Sequence, residues 1–174
     1  MERLTTLLFL PWQERQAAAD AFLPARNVGV LFNGILLDQR ATWAAGVFKN
    51  WIESDTSFLA TPVQFTGRLT ALPYLSEDES NLVHLGFGIR YSNAEQPIIG
   101  KTESEFFLSP VFVATDWIQA DNLVTYDIEA SWRKGPYLLG FEYIGNKLSS
   151  ATDGESNPFG YNISGSWIVT GEMR

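Results

Sequence analysis

The feature that most constrains this sequence is a period of two that recurs along most of it. Val83, Leu85, Phe87, Ile89 and Tyr91 alternate with His84, Gly86, Gly88, Arg90 and Ser92. Val124, Tyr126, Ile128, Ala130 and Trp132 alternate with Thr125, Asp127, Glu129, Ser131 and Arg133. Successive side chains of a strand point to opposite faces, so each segment is a strand with one apolar and one wet face. Three ionisable groups on the wet face of the second segment are hard to bury in a soluble core. The same pattern runs through Val63 to Ala71 and Tyr161 to Val169, and in shorter form through Val28 to Phe32, Trp43 to Val47 and Tyr137 to Tyr143.

Eight strands are expected, near 27–36, 41–50, 62–72, 82–92, 103–109, 123–133, 137–146 and 160–171. Most are roughly 9 to 12 residues long, where soluble proteins average about 5 to 6. At about 3.3 Å per residue and a tilt near 45°, 11 residues rise roughly 25 Å, the height of the apolar band of a membrane barrel. Tyr74, Tyr91, Trp132, Tyr137, Tyr143, Phe159 and Tyr161 collect near the expected strand ends, as interfacial aromatic residues do. Tight turns are expected at Asp38-Gln39-Arg40 and Lys134-Gly135-Pro136, and long polar loops at 50–61 and 147–159. With eight strands these two turns fall on opposite rims, so one element between 93 and 122 is misplaced in this scheme. The expected fold is all-β, antiparallel, and part of a transmembrane barrel. Residues 1–25, interrupted by Pro11 and closed by Pro24, form an irregular or short helical lead-in that only weakly matches a secretory signal.

Composition removes several alternatives. The chain has no Cys, which excludes a disulfide scaffold and thiolate chemistry, and one His, which leaves no second imidazole for a shared zinc site. Twelve Lys and Arg against 20 Asp and Glu give a net charge of −8, a poor match to nucleic acid. No run approaches the roughly 18 to 20 apolar residues that a helical span needs, which leaves room for a barrel, whose two faces average to a near-zero mean hydropathy. No G-x-S-x-G elbow accompanies His84, and Gly86-Phe87-Gly88 opens no helix, so its glycines thin the wet face of a strand. Asp127, Glu129 and Glu142 are simplest as the hydrated lining of a lumen, although paired carboxylates could also hydrolyse a glycoside. No cofactor or metal is expected.

The wet face also carries Arg68, Arg90 and Arg133. Arginines facing a narrow aqueous pore bind oxyanions through charge-assisted hydrogen bonds. Alternatively, each pairs with a lumen carboxylate such as Glu129 or Glu142 and keeps the wall rigid and wet. Spacing alone leaves both open.

Several pieces of the chain are similar to the phosphate-selective porin O and P family of Gram-negative outer membranes. They are Met1-Glu2-Arg3, Pro24 to Val30, Trp43 to Phe48, Thr66-Gly67-Arg68-Leu69-Thr70, Leu72-Pro73, Leu82 to Gly86, Glu129 to Trp132, Gly135-Pro136-Tyr137, Gly140 to Tyr143 and Thr170 to Arg174, in family order. The resemblance implies about eight strands of a 16-stranded barrel, trimeric when full length, in which residues 26–174 form a partial porin domain. It also implies a lipid bilayer as surroundings, small anions such as phosphate as permeants, and a pore lining that includes Arg68, Arg90, Arg133 and His84. Of the three arginines, only Arg68 lies in a well-matched piece. The alternative from another class is a soluble eight-stranded barrel or lectin-like protein binding a small ligand, with its apolar faces inward. Where Trp43, Phe87, Tyr126, Trp132 and Trp167 point separates the two. The isolated 174 residues are expected to behave poorly, with unpaired edges and an exposed apolar face.

Overall fold

The structure is a computed structural model and describes residues 22, 27–52, 57–93, 101–103, 110–114, 116, 118–150, 152 and 154–172. Apart from Phe22, the lead-in at 1–25 lies outside the described residues. The described chain is built on an antiparallel sheet. Its strands are β1 (Val28–Leu36), β2 (Ala41–Lys49), β3 (Val63–Leu75), β4 (Asn81–Asn93), β7 (Asn122–Lys134), β8 (Tyr137–Ser150), β9 (Gly154–Ser156) and β10 (Phe159–Trp167). Neighbours in space are neighbours in sequence, in the order β1-β2-β3-β4-β7-β8-β10, with β9 also on β8. β9 and β10 continue one line along β8, since Leu148 faces Ser156 and Gly145 faces Phe159 without a change of register. Pro158 has no N–H and cannot donate to the ladder, but its carbonyl still accepts from Asn146 N–H at 2.9 Å. The sheet is therefore a seven-line meander whose two edges, β1 and β9–β10, run in the same direction.

Of the expected strand at 103–109 only Glu103 lies among the described residues, where it ends β5 (Lys101–Glu103), and β5 pairs with β6 (Val111–Ala114) in a separate two-stranded sheet. β4 pairs directly with β7 along 13 residues. With that element out of the main sheet, the rims sort themselves. The connections 37–40, 76–80 and 135–136 lie on one rim, and the strand ends at Lys49 and Val63, Asn93 and Asn122, and Ser150 and Gly154 lie on the other. The expected polar loop at 147–159 is corrected, because β8 and β9 occupy most of it, and the last strand ends at Trp167, short of 171.

The turn rim is laced by backbone bonds between neighbouring connections: Leu72 N–H to Arg40 carbonyl at 2.7 Å, Gly135 N–H to Ser80 carbonyl at 2.8 Å, and Ile168 N–H to Pro136 carbonyl at 3.1 Å. Gly135 has φ 54°, as the first central position of a two-residue II′ hairpin requires. Leu37, Asp38 and Gln39 adopt φ of 53°, 50° and 71° in succession, a strained run for residues with a Cβ.

The polarity of the sheet is the reverse of a soluble core. Ile163 is 67% and Trp132 40% exposed, while Thr125 and Gln64 on the opposite face are 2% and 7% exposed. Phe87 and Trp167 are exposed, and Trp43 and Tyr126 half-buried, on the same apolar face. Among the described residues the buried apolar cluster is small: Ala120, Leu123 and Leu148, with Ile118 against them. No helix of the described residues is long and apolar enough to cross a membrane, which says nothing of strands.

Candidate functional site

The polar face is concave. A hollow of ≈ 640 Å³ is lined by Asn33 of β1, Thr42 of β2, Arg68 and Thr70 of β3, His84 of β4, Glu129 and Ser131 of β7, Glu142 of β8, and Asn162 and Ser164 of β10. Both edge strands line the same hollow, so the meander is curled around its wet side.

The centre of this face is an ion-pair network spanning three strands. Arg68 pairs with Gly88, which pairs with Asp127; in the next row Thr70 pairs with Gly86, which pairs with Glu129. Arg68 and the carboxylates are thus two strand spacings apart, about 9.6 Å of backbone. They meet because β4 contributes no side chain between them. A Cβ on Gly88 would run into the Asp127 carboxylate, and one on Gly86 into Glu129. Arg68 Nη2 donates to Glu129 Oε1, and Nη1 stands 3.7 Å from Asp127 Oδ2. His84 Nε2 lies 2.9 Å from the same Glu129 oxygen. The Arg68 and His84 side chains are 30% and 29% exposed and those of Asp127 and Glu129 18% and 19%, so the pairs are partly desolvated and worth more than surface ones.

Glu142 faces Glu129 directly across the β7–β8 ladder. Like charges in that position repel, and Arg68 and His84 on Glu129 offset the repulsion. Oxygens of Asp127, Glu129 and Glu142 all lie within 4.8 Å of one another, close enough to share a cation. At Asp127 and Glu129 the protein itself supplies the cation, as Arg68.

The expected lining residues divide accordingly. Arg68 and His84 come together at the centre. Arg90 lies toward the loop rim, donating from Nη2 to Thr125 Oγ1 at 3.1 Å and to the Phe22 carbonyl at 3.4 Å. Arg133 lies at the turn rim and donates to the Glu79 carbonyl. The three arginines thus form no single cluster. Sequence reasoning missed the inward return of the chain at Ile118 and Ala120, which covers the wet face at Leu123 and Leu148. Its trace in the sequence was two leucines at wet-face positions, Leu123 on β7 and Leu148 on β8.

Compared with protein-family models and with curated proteins, the chain finds no match.

Proposed function

We propose that this chain is part of the wall of an outer-membrane porin, a passive channel whose convex face meets lipid and whose concave face lines water. The carrying observation is the inverted polarity of a curled antiparallel sheet: large apolar side chains outward and exposed, and Thr, Asn, Arg, His, Asp and Glu inward. A soluble binding barrel would place these faces the other way round. Long strands, tight connections on one rim and the longest ones on the other agree with this reading, as does the sequence resemblance to phosphate-selective porins. No covalent chemistry is proposed.

Small anions, as in the family it resembles, are the proposed permeants, but Arg68 is not proposed as their binding site. Its guanidinium is engaged by two carboxylates, which favours the reading of it as a strut that holds the wall rigid. The test is planar-bilayer conductance of the full chain, with chloride and phosphate compared before and after Arg68→Ala. Ohmic channels with unchanged anion preference are expected. A preference lost with Arg68 would restore it as an anion site, and no conductance at all would overturn the porin reading.

A further inference from the structure

The convex face carries two aromatic rows, and their course through the register is informative. The strand-perpendicular row through Trp43 runs Leu69, Phe87, Ile128, Tyr143 and Tyr161. The other aromatic residues of the turn-rim side lie off this row, Tyr74 of β3 facing Val83 four positions from Phe87 and Trp167 facing Tyr137 directly. Trp132 stands four residues beyond Ile128, Tyr137 six beyond Tyr143, and Trp167 six beyond Tyr161. From β2 to β10 the drift is six residues over five strand spacings. The second row drifts in the same sense: Phe65 faces Tyr91, but Tyr126 is two residues past the position facing Tyr91, and Tyr143 is four residues from the one facing Val124. On β7, β8 and β10 the rows keep a constant separation of six residues, Tyr126 to Trp132, Tyr143 to Tyr137 and Tyr161 to Trp167.

At about 3.3 Å per residue and 4.8 Å per strand, this drift inclines the aromatic rows by about 40° to the strand-perpendicular. That is the tilt strands take when a sheet closes as a barrel or crosses a bilayer. Nothing in hydrogen-bond geometry requires aromatic positions to drift, because cross-strand packing favours residues directly opposite. A planar boundary crossing tilted strands does require it, since residues at one depth then shift by a little over one position per strand. Tyr and Trp, with an apolar ring and a polar edge, are the side chains such a boundary selects.

We infer that the two inclined rows are depth contours: Trp43, Trp132 and Trp167 with Tyr137 on one side of the bilayer midplane, and Tyr91, Tyr126, Tyr143 and Tyr161 on the other. The inference rests on the membrane reading above and adds the orientation of the sheet to it. The rows lie about 15 Å apart in height, within an apolar band of about 25 Å. Val63 and Phe159 extend the band beyond one row and Tyr74 beyond the other. Ile128, Phe87 and Phe141 mark the midplane.

The chain has no native Cys, so single cysteines can carry a nitroxide without background. In the full chain reconstituted in phosphatidylcholine vesicles, the labels go at Trp43→Cys, Trp132→Cys, Trp167→Cys, Ile128→Cys and Tyr161→Cys. Depth is read from the ratio of oxygen to nickel-chelate accessibility. The expected result is equal, shallower readings at 43, 132, 167 and 161 and the deepest at 128. Phe87→Cys and Phe141→Cys repeat the deep reading should Ile128→Cys fail to fold. Equal depths at 43, 128 and 161, with 167 apart, would place the strands upright and overturn the inference while leaving the membrane reading in place. Labels with no depth dependence anywhere would remove the membrane reading itself.

Discussion

The two faces of the sheet use the same device for opposite purposes. On the concave face, Gly86 and Gly88 lie beneath carboxylates, so that Arg68 can reach across a whole strand to Glu129 and Asp127. On the convex face, Gly34 lies beneath the indole of Trp43 and Gly145 beneath the ring of Tyr126, each glycine paired with the residue that covers it. A missing Cβ marks a place where a neighbour lies flat. What lies there reports the solvent of that face, charge on one side and aromatic ring on the other. The covers also differ in what holds them. Asp127 and Glu129 are tied to a guanidinium, whereas the Tyr126 ring rests against the Tyr143 ring, 6.0 Å between centroids.

This contrast can be broken at several points. Arg68→Ala has the largest expected effect, because it leaves two partly buried carboxylates beside Glu142 with their shared cation gone. The fold should lose about 2 to 3 kcal/mol, read from the denaturant midpoint of the folded chain. Adding Glu129→Gln to that variant should recover part of the loss, and strict additivity would refute the coupling. Gly88→Ala comes next, at about 1 to 2 kcal/mol, since the new methyl must displace a carboxylate that Arg68 holds. Gly145→Ala should cost less than Gly88→Ala, at about 1 kcal/mol, because the new methyl displaces an uncharged ring rather than one arm of an ion pair. A larger loss at Gly145 than at Gly88 would remove the asymmetry between the faces.

The smallest effect belongs to the turn rim. Ser76 Oγ donates to Asp78 Oδ1 at 2.6 Å and Ser80 N–H at 3.2 Å, which holds the Asp78 carboxyl down at about 2. Its folded value is depressed, so the contribution is complete above the ordinary carboxylate value and is lost as pH falls through about 2. The unfolding midpoint followed from pH 6 down to 2 should fall more steeply for the native chain than for Asp78→Asn. Parallel curves would show that this turn adds no pH dependence.

The strands were largely legible in the sequence because a two-sided sheet writes its pattern every second residue, and seven of the eight expected segments coincide with strands of the main sheet. Of the eighth, at 103–109, only Glu103 is described, and it ends a strand of the small separate sheet. Leu148 was placed in a loop because an apolar residue at an even position, beyond Asn146 and Lys147, breaks the wet-face pattern. At the site, pairing of a wet-face arginine with Glu129 was one of two open readings. Choosing between them needed the register, since Arg68 and Glu129 are 61 residues apart and not on adjacent strands. Gly86 and Gly88 were visible as thin places, but what thinness permits depends on which strands flank them.

The like-directed edges of the meander carry a rule of parity. An alternating ring that contains these seven lines must add an odd number of others between β10 and β1, because an even number would force two neighbours to run the same way. Rotating a second copy about the ring's own axis would set β10 beside a β1 of equal sense, so repetition alone cannot produce an alternating closure. An inverted copy could, but its tight connections would then lie on the opposite rim of the ring from the first copy's.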